Sequence, residues 1–115
     1  MTATPEETAD ASPAAPVDIT IILPCLDEAS AIASVVEEGR TFLEQEGLRG
    51  EILVVDNGSS DGTAERAREA GAEVVSEPVR GLGAACRAGL ARASGARIVI
   101  ADGDGSYDLT ALKPF

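Results

Sequence analysis

The sequence predicts an α/β fold with a parallel, Rossmann-like sheet in the order β-α-β-α-β-α-β. Short apolar runs rich in β-branched residues alternate with segments whose apolar residues recur every three or four positions. Each apolar run is followed by polar or glycine-containing residues, as in parallel sheets covered by helices on both faces. The 115 residues suffice for one small domain, and a 3% aromatic content predicts a core of Val, Ile, Leu and Ala.

Residues 1–16 are predicted to form a disordered tail. They are rich in Ala, Pro, Thr and Glu, and no large apolar residue follows Met1. Such a segment cannot bury enough apolar surface to offset the entropy lost on ordering. The folded domain is therefore expected to span residues 17–115.

The first half of the domain predicts a strand, a helix and a second strand. Residues 19–23 form the first β-branched run, and Pro24 is expected to close it because proline has no N–H to donate. Helical spacing begins near residue 29, and glycines at 47 and 50 are expected to end that helix. The apolar positions of this helix are Ile32, Val35, Val36, Phe42 and Leu43. Residues 52–55 form the next strand.

The second half repeats the pattern twice. Ser60 or Asp61 is expected to cap a helix that runs to about residue 70, and Gly71 to stop it. Residues 72–75 form a short strand, residues 82–93 a helix, and residues 97–101 the last strand. The third helix is expected to place on one face Leu82, Ala85, Cys86, Gly89, Leu90 and Ala93.

Composition excludes several classes of function. A net charge of −11 argues against non-specific nucleic-acid binding, which needs Lys and Arg to neutralise phosphates. No apolar run approaches the roughly 20 residues that cross a bilayer. The absence of histidine excludes histidine-based triads and metal sites. Cys25 and Cys86 have no metal-ligand spacing and are interpreted as isolated thiols in a reducing compartment.

Polar segments follow every predicted strand, at 24–28, 56–61, 77–83 and 102–108. Since ligands of parallel sheets bind at the carboxyl ends of strands, these segments are expected to meet at one edge. Asp102 and Asp104 are predicted to hold a divalent metal against a diphosphate. The alternatives are a solvated acidic turn and a calcium loop, and Tyr107 and Lys113 stand where an EF-hand loop needs Gly and Glu.

The other three segments carry weaker signals. Asp56 ends a strand, where its carboxylate can accept hydrogen bonds from a ligand, and helix capping does not explain it. In the segment from Pro24 to Glu28, the acidic residues Asp27 and Glu28 also suit a helix N-terminus. Gly81 and Gly83 permit close approach of backbone to an anion. Arg87, one turn further, is interpreted either as a phosphate ligand or as a surface arginine.

Together the four segments resemble the nucleotide-binding half of a family 2 glycosyltransferase of GT-A fold, most closely the polyprenyl-phosphate (dolichol-phosphate-like) sugar transferases. The resemblance covers residues 19–114 and implies that the nucleotide contacts Pro24, Leu26, Glu28, Asp56, Gly81, Gly83, Arg87 and Asp102. It implies Asp104 and Ser106 as ligands of Mg²⁺ or Mn²⁺. Asp27 stands where Asn is common, Asn57 where a second Asp is common, and Leu82 where Lys or Tyr is common.

The implied reaction is inverting transfer of a sugar from a UDP- or GDP-sugar to an acceptor such as a polyprenyl phosphate. The 115-residue chain is expected to be the donor-binding half, inactive alone, with any general base beyond Phe115. The resemblance implies a cytoplasmic protein whose full-length form associates with the cytoplasmic face of a membrane. The alternatives are a non-catalytic nucleotide- or metal-binding module and an inactive truncated remnant.

Overall fold

The computed structural model describes residues 16–101. Apart from Pro16, the predicted disordered tail lies outside the described residues. The acidic cluster at 102–108 lies outside them as well.

Four parallel strands alternate with three helices in the described chain. In chain order the elements are β1 (Ile19–Cys25), α1 (Ile32–Glu46), β2 (Gly50–Asp56), α2 (Thr63–Glu69), β3 (Glu73–Ser76), α3 (Leu82–Arg92) and β4 (Arg97–Ile100). The sheet order is β3-β2-β1-β4, so the two longest strands are central. The predicted α/β class and element order are confirmed.

The prediction that Pro24 closes the first strand is wrong, because β1 continues to Cys25 with Pro24 paired to Val55. The Ala101 N–H donates to the Ile22 carbonyl. The backbone N–H and C=O of Ile22 therefore point towards β4, and those of every second residue along β1 point the same way. The last described β1–β4 pair is Ile22 with Ile100. Pro24 follows that pair on the same side, where no described ladder bond requires its N–H.

Helices cover the two faces of the sheet unequally. Helices α1 and α2 pack on one face around a large cluster that includes the fully buried Phe42. Helix α3 packs on the other face, where Ile22, Val55 and Ala85 form a small cluster. A Cβ atom on Gly89 of α3 would lie 2.6 Å from Ile22 Cγ2 and 3.3 Å from Val55 Cγ2. The helix therefore sits close to the sheet because position 89 has no side chain.

The predicted face of α3 is only partly the packed face. Ala85 and Gly89 are buried with Ala84, whereas Leu82 and Leu90 are 67% and 49% exposed. The small residues of α3 contact the sheet, and the long side chains of the helix lie at the margins of that contact.

A polar network closes the amino-terminal edge of the sheet. Glu51 Oε2 accepts hydrogen bonds from the Thr20 hydroxyl at 2.7 Å, from the Ser94 N–H at 2.6 Å and from the Ser94 hydroxyl at 2.8 Å. The Gly95 N–H donates to Thr20 Oγ1 at 2.8 Å. Burial opposes ionisation of Glu51, but these hydrogen bonds and the charge of Arg92 hold its pKa below the ordinary value of 4.5.

The Glu51→Gln variant is expected to lose about 1 kcal/mol of unfolding free energy at pH 7, since partial exposure screens a charge-assisted hydrogen bond. The folded-state pKa is lowered, so this stability is present above pH 4.5 and is lost as pH falls through the folded-state pKa. Urea unfolding at pH 3, 5 and 7 measures it. Glu46→Gln, on the exposed side of α1, is the control. A wild-type advantage over Glu51→Gln that stayed constant down to pH 3 would contradict this assignment.

Candidate functional site

The loops that follow β1 and β2 are hydrogen-bonded to each other. The Asp27 N–H donates to Ser59 Oγ at 2.8 Å, and the Ser60 N–H donates back to Asp27 Oδ1 at 2.9 Å. Asp27 has φ 55°, a left-handed conformation that Asp and Asn adopt more readily than most residues. Asp27 therefore joins the two loops and does not cap α1, which begins at Ile32 without a side-chain cap.

Asp61 extends this connection. Its Oδ2 accepts from the Ala29 N–H at 3.1 Å and its Oδ1 accepts from the Thr63 N–H at 3.2 Å. Asp61, rather than Ser60, thus binds the first amide of α2. The Thr63 hydroxyl also donates to Asp61 and holds the pKa of this carboxyl below its ordinary value. The Glu28 N–H donates to Thr63 Oγ1 at 3.0 Å, so one hydroxyl contacts both loops.

Asp56 lies at the carboxyl end of β2, half-buried, beside Cys25 of β1 and Ser76 of β3. Its Oδ1 accepts from the Ser59 N–H at 2.9 Å. This bond fixes the orientation of the carboxylate. Its Oδ2 accepts no hydrogen bond from the residues that the structure describes. The arrangement leaves one oxygen of a rigidly held carboxylate for a ligand.

Asn57 connects β2 to the loop that precedes α3, residues 77–81. Its Nδ2 donates to the Glu77 and Val79 carbonyls, both at 2.8 Å, and its Oδ1 accepts from the Gly81 N–H at 2.9 Å. Asn57 is buried, with only 7% of its surface exposed. Gly81 has φ 126°, which a residue with a side chain rarely adopts. Sequence reasoning missed Asn57, because its partners lie 20 to 24 residues away.

A pocket of about 320 Å³ opens beside this amide, at the carboxyl edge of the sheet. It is called the Asn57 pocket here. Its lining residues come from the end of β1, from Asn57 and from the start of α3: Pro24, Cys25, Leu26, Asn57, Arg80, Gly81, Leu82 and Ala85. The walls are mainly apolar and carry one cationic side chain, as small-molecule sites commonly do. Of the predicted nucleotide contacts, Pro24, Leu26 and Gly81 line this pocket, whereas Gly83 and Asp56, which precedes Asn57 in the chain, do not.

Two arginines lie near the start of α3 but in different places. Arg80 lines the Asn57 pocket, and its Nε would lie 3.2 Å from a Cβ placed on Gly58 of the β2–α2 loop. Arg87 lies in an adjacent hollow of about 330 Å³ together with Glu77 and Val79. Arg87 Nη1 would lie 3.5 Å from a Cβ on Gly83, so this side chain runs back along α3. The structure therefore brings Arg80, and not Arg87, into the pocket.

The other predicted site residues lie outside the Asn57 pocket or outside the described residues. Glu28 lies at the loop connection described above, not in the pocket lining. Asp102, Asp104 and Ser106 lie outside the described residues, but Ala101, the preceding residue, is hydrogen-bonded to Ile22 of β1. Among residues 16–101, no group of three or more acidic or cysteine side chains is placed to hold a metal ion.

A larger cavity of about 790 Å³ lies between α1 and α2, away from the Asn57 pocket. Four carboxylates line it, those of Glu37, Asp61, Glu65 and Glu69, against one arginine, Arg66. This charge repels a phosphate-bearing ligand. The smaller Asn57 pocket is therefore the candidate site.

The parallel sheet and the pocket at its carboxyl edge place the protein in the class of Rossmann-like α/β domains. The family model for Glycosyl transferase family 2 matches residues 20–115, and the chain belongs to that family. Protein RfbJ of Shigella flexneri is 36% identical over 91 residues, which are 79% of this chain and 67% of RfbJ.

Solved structures agree with the family. Mannosyl-3-phosphoglycerate synthase from Rubrobacter xylanophilus superposes with a TM-score of 0.72 and 29% identity over 85% of this chain and 33% of its own. Glucosyl-3-phosphoglycerate synthase from Mycobacterium tuberculosis, solved with Mn²⁺, UDP and phosphoglyceric acid, superposes with a TM-score of 0.66 and 38% identity over 76% of this chain and 33% of its own. The predicted GT-A-like fold is thus confirmed. The chain spans about a third of each synthase.

No helix in the described part of the chain has both the length and the apolar character needed to cross a membrane.

Proposed function

We propose that this chain forms the donor-binding part of an inverting glycosyltransferase that uses a UDP-sugar. The observation that carries the proposal is the Asn57 pocket, in which the ends of β1 and β2 face the glycine-containing start of α3. The complex of the similar mycobacterial synthase with UDP supports uridine over guanosine as the nucleoside. The expected GDP-sugar alternative has no comparable support.

The residues of the pocket suit the parts of a nucleoside diphosphate. In this proposal the base lies against the apolar wall of Pro24 and Leu26. An N–H of the base donates to Oδ2 of Asp56, the residue before Asn57, which accepts no hydrogen bond from the described residues. The diphosphate lies at the N-terminus of α3, where unpaired amides and the helix dipole favour an anion. Gly83 permits close approach there, with Arg80 on the near side and Arg87 further along the helix.

A divalent cation completes the donor site in this proposal. The described residues gather no ligand group of their own, so the proposed ligands remain Asp104 and Ser106, with Asp102 near the ribose. Mn²⁺ is favoured over Mg²⁺ because the similar synthase was solved with Mn²⁺ and UDP. When bound, such a cation neutralises charge that develops on the departing diphosphate.

The proposed acceptor carries a phosphate group. The synthase structure with phosphoglyceric acid supports a phosphorylated small molecule, while the resemblance to polyprenyl-phosphate transferases supports a lipid phosphate. These two acceptors need different chemistry, because an ionised lipid phosphate attacks without a general base and a hydroxyl requires one. The 115-residue chain alone is expected to bind donor and to transfer no sugar.

Calorimetric titration with UDP and GDP, each with Mn²⁺, with Mg²⁺ and with EDTA, tests the proposal. UDP with Mn²⁺ is expected to bind, and the Asp56→Asn variant to bind about tenfold more weakly, because it loses a charge-assisted hydrogen bond of roughly 1.5 kcal/mol. Asp104→Asn is expected to abolish the difference between Mn²⁺ and EDTA. Glu46→Gln serves as the control of unchanged affinity.

Three outcomes would count against the proposal. Equal affinity for GDP and UDP would remove the uridine assignment. Absence of binding to any nucleotide would favour the inactive remnant, whereas binding of UDP without Mn²⁺ dependence would favour a non-catalytic nucleotide module.

A further inference from the structure

The Asn57 side chain uses its whole amide on one loop. Both donors of Nδ2 bind carbonyls, of Glu77 and Val79, and Oδ1 binds the amide of Gly81, all within 2.9 Å. Asn57 itself is buried, and the three bonds that it makes to the loop are partly buried. Within residues 16–101, no other side chain makes three hydrogen bonds to this loop.

The pattern of donors and acceptors selects an amide. Two carbonyls face the Nδ2 position and an N–H faces the Oδ1 position. Aspartate has the same shape, but it would place an oxygen, with negative charge, against two carbonyl oxygens. In this chain the hydrogen-bond partners of position 57 therefore match an amide and oppose a carboxylate of the same volume.

The loop that Asn57 holds forms one wall of the pocket. Arg80, Gly81 and Leu82 line it, and Arg80 and Leu82 are exposed side chains on their own. The loop makes few other hydrogen bonds within the described residues: the Glu77 N–H donates to the Asp56 carbonyl, the Val79 N–H donates to the carboxylate of Glu77 at 2.9 Å, and the Ala85 N–H donates to the Gly81 carbonyl at 3.1 Å. Of these, only the bond from Ala85 reaches Gly81, and it comes from α3 itself rather than from β2.

We propose that Asn57 is a positioning residue, which fixes residues 77–81 against the end of β2 and thereby places Arg80 and the N-terminus of α3 at the pocket. Asn57 acts through the loop, and its nitrogen needs no contact with the ligand. Its effect on nucleotide affinity rests on the proposed function, whereas its hold on the loop does not.

The test compares Asn57→Asp and Asn57→Ala in the full chain. Amide hydrogen exchange of residues 77–82 without ligand measures the loop, and titration with UDP and Mn²⁺ measures the pocket. If hydrogen bonding is the role, Asn57→Asp is the worse variant, because it adds repulsion to lost donors. If the side chain only fills space, Asn57→Ala is the worse one, because Asp keeps the volume. We expect Asn57→Asp to accelerate exchange and to weaken UDP binding at least tenfold, with Asn57→Ala intermediate.

Ser94→Ala is the matched control, since it removes the hydrogen bond from the Ser94 hydroxyl to Glu51 at the opposite edge of the sheet. It is expected to change neither the exchange of residues 77–82 nor the affinity. Exchange of residues 77–82 at the wild-type rates in Asn57→Asp, or a larger effect of Asn57→Ala than of Asn57→Asp, would overturn the proposal. Failure of the wild type to bind UDP would overturn the proposed function alone, and the exchange data would still decide the role of Asn57.

Discussion

The Gly95→Ala variant is expected to lose about 3 kcal/mol of unfolding free energy, the upper part of the range for overpacking. A Cβ on Gly95 would lie 2.5 Å from the Thr20 backbone nitrogen and 2.6 Å from the Ile19 carbonyl carbon. Both atoms belong to β1, a central strand paired on each side, so they cannot move without disturbing the sheet. The same shift would stretch the hydrogen bond from the Gly95 N–H to Thr20 Oγ1.

Thermal unfolding followed by circular dichroism measures this loss. For a domain of this size each kcal/mol lowers Tm by about 4–8 °C, so a decrease of more than 10 °C is expected. Gly83→Ala is the matched control: its Cβ would meet only Arg87 Nη1 at 3.5 Å, and alanine favours a helix. Equal Tm values for the two variants would show that the α3–β4 turn can move away from β1.

The Phe42→Ala variant is expected to lose about 3–5 kcal/mol, because it removes a large side chain from the core and leaves a cavity. Phe42 is 1% exposed and is the largest fully buried side chain among the described residues. It belongs to the cluster between α1 and the sheet. Only 3% of the residues in the chain are aromatic. The neighbouring side chains are aliphatic, so no second aromatic ring can fill the cavity that Phe42 leaves.

Urea unfolding gives the free energy, and Thr41→Ala is the control on the exposed side of the same helix. Thr41→Ala is expected to stay within about 0.5 kcal/mol of the wild type, as exposed substitutions usually do. A loss below 1 kcal/mol in Phe42→Ala would mean that α1 closes onto the sheet after truncation, and the packing described for this face would need revision.

The sequence predicted the elements and their order because each depends on local information. Apolar periods, glycines and β-branched runs lie within single segments, and all seven elements occur within a few residues of their expected bounds. The predicted end of β1 was wrong. The strand can include Pro24, which has no N–H to donate, only if β4 has stopped pairing with β1 at that point. Gly50 was expected to end α1, but it is the first residue of β2 because it pairs with Ile19 in the parallel ladder.

The candidate site was predicted less completely, because it depends on contacts between distant segments. Strand-end positions sufficed to place Pro24 and Leu26 in one pocket with Gly81. The roles of Asp27 and Asn57 depend on partners 20 or more residues away, and nothing local in the sequence indicates those partners. Arg80 lies in the loop before α3 and Arg87 lies within α3, and the direction that each side chain takes separates them, which helical spacing alone does not predict.

The close packing of α3 against the sheet at Gly89 limits which substitutions this sequence can accept. Gly89 rests on Ile22 and Val55 of the two central strands, and Leu82, about two helical turns earlier, forms part of the pocket rim. Any larger residue at 89 lifts the helix and displaces that rim, unless position 22 or 55 becomes smaller at the same time. Positions 22, 55 and 89 are therefore expected to change together among homologues, although none of the three lines the Asn57 pocket.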